Sequence, residues 1–157
     1  MLGFFKKEKF LTAPVCGEII EISKVRDEVF SQKILGDGFA VIPEDGNIYS
    51  PADGTVTDVT ETNHAYCITS DDGLEILVHI GIDTVELKGS GFTPLVKNGD
   101  SVRRGTPLAR VDLGLINERG YRTDVITVIT NTNAMKDFSV LEMPHADVNT
   151  NVFSYKL

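Results

Sequence analysis

The sequence predicts an all-β fold, a single-domain antiparallel β-sandwich or barrel built from duplicated hairpin units, with little short helix. Apolar residues fall in short stretches rich in β-branched side chains, and few segments keep a helical period for three turns. Gly, Pro, Asn and Asp separate these stretches, as turn residues separate strands. A pattern of proline, glycine and strand occurs twice, and such self-similarity indicates a structural repeat.

The predicted strands alternate with glycine-containing turns along most of the chain. They cover residues 18–22, 39–42, 55–59, 66–70, 74–82, 108–111 and 125–130. Only residues 24–35 and 113–119 are predicted to form short helices. In the repeat, Pro14 and Gly17 precede the first strand, and Pro51 and Gly54 precede the third with the same spacing. Residues 99–108 contain a further turn, strand, turn and strand, so the sheet is predicted to consist of related hairpins.

Length and charge exclude several classes of protein. A chain of 157 residues corresponds to one domain, and we expect a tail over residues 1–11 and one domain over 12–157. The net charge of -8 would repel phosphate backbones, so nucleic acid is not an expected partner. The chain has no apolar run that suits a membrane span or export signal, so a cytoplasmic location is expected, with Cys16 and Cys67 reduced. Residues 1–10 mix Leu and Phe with Lys, which suits at most peripheral membrane contact.

The segment 74–82 carries the residues most suited to chemistry. Alternate side chains of a strand share a face, so one face is predicted to lie in the core. That face holds Leu74, Ile76, Val78, Ile80 and Ile82, and the other holds Glu75, Leu77, His79, Gly81 and Asp83. His79 is therefore predicted to point away from the core, with no side chain at Gly81 to cover it.

A second histidine is predicted to face His79. If 66–70 and 74–82 form a hairpin centred between residues 71 and 72, His64 and His79 are equally far from the centre and lie opposite each other. Opposed Cβ atoms are about 4.5 to 5.5 Å apart, so one phosphoryl group or metal ion can touch both rings. The alternative is two unrelated histidines on one sheet face. His145 is expected to be a loop histidine without an acidic partner.

Several motifs resemble one family. Residues 77–92 are similar to the signature of the glucose-type enzyme IIA phosphocarriers of the bacterial phosphoenolpyruvate-dependent sugar phosphotransferase system. Residues 36–40, 51–54 and 62–65 match further motifs in the family's order, and motifs at consistent spacing are more specific than any one alone. The resemblance extends roughly over residues 12–130, whereas residues 131–157 depart from it.

The resemblance implies a phosphotransferase component with a phosphohistidine intermediate and no required cofactor. His79 would accept the phosphoryl group on Nε2 from the small carrier HPr and pass it to a cysteine of the IIB domain of a sugar permease. His64 would contact the phosphoryl group, Thr62 would orient His64, and the Gly81 carbonyl would receive the Nδ1 hydrogen of His79. Independently of the resemblance, a carboxylate at Asp83 would raise the basicity of the pair, and the alternative is that Asp83 only forms the turn at the end of the strand.

The resemblance also implies an apolar docking patch with a charged rim, suited to basic partners. Its expected members are Val29, Phe30, Ile34, Leu35, Leu77 and Val85. The alternative for each of them is a position in the core, which is the more common place for an apolar side chain. Thr60 departs from the family, since some relatives have phenylalanine there.

Two other classes fit parts of the sequence. A zinc metallohydrolase could use His64 and His79 beside Asp83, but the sequence offers no clear third protein ligand. Zinc held by the two histidines and a partner's carboxylate would instead mark an interface. A biotin- or lipoyl-carrier domain is suggested by Lys136 in Ala-Met-Lys, although that lysine lies far from the hairpin at 105–108.

Overall fold

The computed structural model describes residues 7–157, which form fourteen strands and two short α-helices within that range. The strands are β1 Lys9–Thr12, β2 Gly17–Glu21, β3 Asp37–Pro43, β4 Asn47–Tyr49, β5 Gly54–Val59, β6 Ala65–Ser70, β7 Glu75–Ile80, β8 Phe92–Pro94, β9 Ser101–Val102, β10 Pro107–Val111, β11 Val125–Ile129, β12 Lys136–Val140, β13 Met143–Ala146 and β14 Asn151–Lys156. The helices are α1 Glu28–Ser31 and α2 Leu113–Glu118. The predicted all-β class is confirmed, and each predicted strand is present with ends shifted by up to two residues.

The strands pair antiparallel in three sheets. The largest has the order β13-β2-β3-β11-β7-β6-β5-β9, and the two smaller sheets are β1-β14-β12 and β4-β10-β8. Residues 9–11, which the sequence assigns to the tail, belong to β1 and pair with β14. Residues 1–6 lie outside the described residues, and with them lies most of the segment expected to contact a membrane. No helix within 7–157 combines the length and the apolar content that a membrane crossing requires.

The sequence repeat corresponds to a structural repeat. The Pro51 carbonyl accepts a hydrogen bond of 3.0 Å from the end of β1, and the Pro14 carbonyl accepts one of 2.7 Å from the end of β4. A Cβ on Gly17 would overlap a carbonyl oxygen of β3, and a Cβ on Gly54 would overlap one of β6. Each copy therefore needs glycine for the same reason, a close approach to the backbone of the next strand.

The large sheet has an apolar layer on each face because alternate residues of its central strands point in opposite directions. The main core includes Phe39, Val78 and Ile80, together with side chains from the two small sheets. A second, smaller cluster lies on the other face. It contains Ile22, Val25, Phe30, Ala40, Ile82, Ile126 and Val128, with Ile20 and Leu77 packed against it.

The position of Ile82 corrects the predicted alternation. The sequence places Ile82 on the main-core face with Ile80, but Ile82 belongs to the second cluster. The reason is that β7 ends at Ile80 and Gly81 has a φ of 78°, a left-handed conformation that turns the chain. Alternation between faces holds only while the backbone stays extended.

The C-terminal residues, where the family resemblance is weak, contribute strongly to the core. Within 131–157, β14 lies between β1 and β12, and its Val152, Phe153 and Tyr155 are almost fully buried. The Phe153 ring stacks on Phe39 of β3 with centroids 5.8 Å apart. This segment therefore closes the sandwich over the main core.

Candidate phosphoryl-acceptor site

His79 lies near the end of β7, a central strand of the large sheet. In the register, His79 is opposite Ile126 of β11 and Ala65 of β6. Its ring shares the sheet face of the second cluster, and the Phe30 ring lies 5.0 Å away between centroids. The imidazole is thus held on a rigid sheet among apolar side chains.

A backbone hydrogen bond fixes the protonation of the His79 ring. Nδ1 lies 2.8 Å from the Gly81 carbonyl oxygen, and because that oxygen can only accept, Nδ1 carries the hydrogen. In the neutral ring, Nε2 then keeps its lone pair. The Gly81 turn is held by its own N–H, which donates to the Asp124 carbonyl at 2.8 Å. The Thr84 methyl occupies the space that a Cβ on Gly81 would need.

The His64 ring lies beside that of His79, although the predicted register is wrong by one residue. The centroids are 4.9 Å apart and the rings are nearly perpendicular, at 82°. The residue that pairs with His79 is Ala65, since β6 begins there. His64 precedes the strand and follows Asn63, whose φ of 58° turns the chain, so its side chain is not bound by the alternation of the strand.

Two threonine hydroxyls surround Nδ1 of His64. Thr62 Oγ1 is 2.5 Å from this nitrogen and Thr60 Oγ1 is 3.3 Å from it. The family resemblance implies the contact with Thr62, whereas the contact with Thr60 is found only in the structure. With Nδ1 engaged, Nε2 is the ring nitrogen of His64 that is left for a ligand.

Burial keeps both imidazoles neutral at neutral pH. It lowers the pKa of His79 to about 4, and the neighbouring His64 adds to this because two cations so close would repel each other. Burial also lowers the pKa of His64, which is only 8% exposed. The Gly81 carbonyl and the charge of Asp27 oppose the shift at His79 without reversing it.

The carboxylate that acts on His79 is Asp27, which sequence reasoning missed. Asp27 caps α1, with its Oδ1 accepting from the Val29 N–H at 2.9 Å. Asp27 lies inside the predicted helix 24–35, so the sequence does not mark it as the cap of the shorter helix that the structure contains. Asp83 has a φ of 60°, is exposed and makes no capping bond at the short helix Thr84–Leu87. Its side chain has no hydrogen bond to either imidazole within residues 7–157.

Comparison with known proteins identifies the family. Residues 9–135 match the family model for the phosphoenolpyruvate-dependent sugar phosphotransferase system, EIIA 1. The chain belongs to this family. A glucose-specific EIIA component of Oceanobacillus iheyensis is 39% identical over 145 residues, which cover 92% of this chain and 88% of that protein. The solved glucose permease IIA of Mycoplasma capricolum has a TM-score of 0.86 and 35% identity, with 96% of this chain and 97% of that chain covered.

Larger proteins contain a similar EIIA region. The beta-glucoside-specific EIIBCA component of Bacillus subtilis is 48% identical over 127 residues, which cover 80% of this chain and 20% of that protein. The chain thus spans a fifth or less of the first curated relatives. The resemblance stated from the motifs is confirmed, and nothing in these comparisons supports the metallohydrolase alternative.

Exposed apolar side chains lie on the α1 segment and beyond β7 of this EIIA fold. Val29, Ile34, Leu35 and Val85 are exposed, with Ile34 the most open at 66%. Leu77 is half-buried against the second cluster. Of the expected patch residues, Phe30 follows the core alternative, because it is 6% exposed and packs among Ile22, Val25 and the His79 ring. A four-residue helix can bury only one side, and Phe30 occupies it.

His145 also differs from expectation, because it has acidic partners. It belongs to β13, its Nδ1 lies 2.7 Å from Glu44 and its Nε2 lies 3.1 Å from Asp147. Carboxylates only accept, so both contacts together require the doubly protonated ring, and Glu44 accordingly raises the pKa of His145. Glu44 is distant in sequence, so the pairing depends on the fold.

The other candidate reactive groups in residues 7–157 are potential metal ligands, the two cysteines and Lys136. No three His, Cys, Asp or Glu side chains in that range are placed to hold a metal ion. Cys16 and Cys67 are both free. Burial raises the pKa of the Cys67 thiol, which disfavours the reactive thiolate. Lys136, the residue suggested for acylation, begins β12 and pairs with Lys156 of β14.

Proposed function

We propose that this protein is a phosphoryl carrier of a sugar phosphotransferase system in the cytoplasm. It accepts a phosphoryl group on His79 from phosphorylated HPr and delivers it to a cysteine on the IIB domain of a sugar permease. The observation that carries the proposal is the hydrogen bond from His79 Nδ1 to Gly81, beside the ring of His64. This arrangement leaves a neutral Nε2 nucleophile with a second imidazole in reach.

The acceptance step is an in-line displacement at phosphorus. The lone pair of His79 Nε2 forms the new P–N bond while the P–N bond of the donor histidine breaks, and its electron pair stays on the donor ring. The low pKa of His79 supports this step because a protonated Nε2 has no lone pair to donate. Attachment to a central strand limits ring movement and so favours the aligned geometry.

His64 stabilises the transferring group. If the Thr62 hydroxyl donates to Nδ1 across the 2.5 Å contact, the proton of the neutral His64 ring resides on Nε2. That N–H then donates to a phosphoryl oxygen as negative charge builds up. Such a donor in a site with little water stabilises the transition state more strongly than in bulk water.

Onward transfer reverses the chemistry. The thiolate of the IIB cysteine attacks phosphorus, the P–N bond to His79 breaks and its electron pair returns to Nε2. Asp27 supports this direction, since its negative charge near His79 disfavours a persistent dianionic phosphoryl group. Asp83 is proposed as an acidic group at the rim of the same surface, because it is exposed four positions after His79 along the chain.

One apolar surface serves both partners in this proposal. We define the docking patch as Val29, Ile34, Leu35 and Val85, the expected docking residues whose side chains are exposed. The net charge of -8 suits basic partners around such a patch. HPr and the IIB domain must each reach His79, so they bind one at a time. Titration of a labelled HPr complex with the IIB domain should displace HPr, and simultaneous binding of both would contradict a shared patch.

Zinc at a partner interface is a separate proposal, and the transfer itself requires no cofactor. The Nδ1 atoms of His64 and His79 are engaged, so two Nε2 atoms are the nitrogen ligands that the site can offer. Zinc binding requires the His64 tautomer in which Nδ1 donates to Thr62 Oγ1, because only then does Nε2 have a free lone pair. Tetrahedral zinc needs further ligands, which a partner's carboxylate would supply. Calorimetry with zinc should therefore show binding to a partner complex and weaker binding to the carrier alone.

The roles of the two histidines are tested by matched glutamine variants. His79→Gln should take up no acid-labile phosphate from phosphorylated HPr, because the amide lacks a comparable nucleophile. His64→Gln should be labelled but transfer to IIB about a hundredfold more slowly, which corresponds to roughly 3 kcal/mol of lost transition-state stabilisation. His145→Gln is the control, since its ring lies apart from the pair. Normal labelling of His79→Gln would refute the assignment.

A further inference from the structure

Thr60 closes the loop that carries His64. Its N–H donates to the Ala65 carbonyl at 3.1 Å, and its carbonyl accepts from the Asn63 N–H at 2.9 Å. Its hydroxyl oxygen accepts from the Ala65 N–H at 3.1 Å. Three hydrogen bonds thus fix the position of Thr60 Oγ1 relative to the start of β6, where Ala65 pairs with His79.

We propose that Thr60 is a second positioning residue for His64, acting together with Thr62. Thr60 Oγ1 lies 3.3 Å from Nδ1, and Thr62 Oγ1 approaches the same nitrogen at 2.5 Å. The effect on phosphoryl transfer rests on the proposed function, whereas the effect on the ring does not.

Both threonine hydroxyls contact the same nitrogen of His64, Nδ1, and so favour one orientation of the ring. A flip of the His64 ring would exchange Nδ1 with a carbon atom, so that a C–H group would face both oxygens and both polar contacts would be lost. Thr62 lies in the turn itself, next to Asn63, which adopts a left-handed conformation. Thr60 is anchored through Ala65 to the sheet, so it ties the ring orientation to the strand that carries His79.

The hydroxyl of Thr60 has enough capacity for this contact. A threonine hydroxyl has one hydrogen and two lone pairs, and the Ala65 N–H uses one lone pair. The hydrogen can be donated to a bare Nδ1 or to the Ala65 carbonyl, which lies 3.4 Å away. When Nδ1 carries a hydrogen, the second lone pair can accept it. Thr60 Oγ1 is therefore a polar partner for His64 Nδ1 whether or not this nitrogen carries a hydrogen.

Three variants separate positioning from loop stability. Thr60→Val removes the hydroxyl at nearly constant volume, and Thr60→Ser restores the hydroxyl without the methyl group. Thr55→Val is the matched control, because Thr55 is an exposed threonine of β5, the strand that ends directly before Thr60. Thermal unfolding of each variant measures any loss that comes from leaving the buried Ala65 N–H without its acceptor.

The primary readout is the ¹⁵N spectrum of the His64 ring in the unphosphorylated protein. Thr60→Val should shift the Nδ1 resonance and broaden it through exchange between ring orientations, while Thr60→Ser and Thr55→Val should resemble the wild type. The rate of transfer to IIB should fall about threefold to tenfold in Thr60→Val, the range expected for one lost hydrogen bond, and recover in Thr60→Ser.

The outcomes distinguish the inference from the proposed function. A Thr60→Val protein with a lower unfolding temperature but wild-type His64 resonances would overturn the inference and leave Thr60 a purely structural residue. If the His64 resonances change as expected while even the wild type takes no label from phosphorylated HPr, the positioning role stands and the proposed function fails.

Discussion

The low pKa of His79 predicts an unusual response of this protein to acid. A free histidine with a pKa of about 6.5 is roughly three-quarters protonated at about pH 6. With a pKa of about 4, only about one per cent of His79 is protonated at that pH. Acidification from about pH 8 to about pH 6 should therefore leave the Nε2 nucleophile intact.

The same shift makes the folded state sensitive to stronger acid. The folded pKa lies below the unfolded value, so between 6.5 and about 4 the unfolded chain binds a proton that folded His79 does not. The stability that neutral His79 contributes is therefore fully present above about pH 6.5. It falls as the pH drops and is fully lost only below about pH 4. The difference between pKa values of 6.5 and about 4 corresponds to about 3 kcal/mol of stability.

Nuclear magnetic resonance titration measures the pKa values of the three histidine rings directly. His79 should titrate near 4, and His64 should titrate below its ordinary value, since burial lowers the pKa of both. His145 should titrate above its ordinary value because of Glu44 and serves as the internal control. In urea unfolding, the free energy of unfolding of His79→Gln should decrease less between about pH 6.5 and about pH 4 than that of the wild type. A His79 midpoint at or above 6.5, with a folded spectrum, would refute the burial argument.

The remaining predictions concern two glycines and the ion pair between His145 and Glu44. Gly81→Ala should reduce phosphoryl uptake and stability, because the methyl group would collide with Thr84 and strain a φ of 78°; uptake equal to wild type would contradict the need for this turn. Gly54→Ala should lower the unfolding temperature by overlap with β6, and an unchanged midpoint would exclude the close approach. His145→Gln should destabilise the protein at about pH 5 but not at about pH 9, where the raised folded pKa has been passed and the charge lost. Equal effects of His145→Gln at both pH values would rule out a charged contact with Glu44.

Local patterns in the sequence predicted most of the fold around the site. β-branched stretches between glycine turns predicted the strands that hold the site, and the repeat of Pro14-Gly17 at Pro51-Gly54 predicted two related turns. The alternation in β7 placed His79 away from the main core. These inferences succeeded because hydrogen bonding and side-chain direction in a hairpin depend on residues close in sequence.

Short strands and capping residues were less predictable. β1, β4 and β8 have only three or four residues, too few for a pattern to stand out. The predicted helix 24–35 includes Asp27, so neither its capping role nor its position near His79 could be inferred before α1 was placed. The pairing of the histidines was predicted one residue out of register because the left-handed turn at Asn63 cannot be inferred from strand periodicity.

The family, the β-hairpins and the two histidines could all be inferred from the amino-acid sequence. The burial of Phe30 against His79, the contact of His145 with Glu44 and the contact of Thr60 with His64 appear only in the folded protein. Each of these three depends on which segment covers a given sheet face or on where the backbone leaves the extended conformation. The pKa of His79 follows from that covering, because the free energy of charging the ring depends on the surrounding side chains that exclude water.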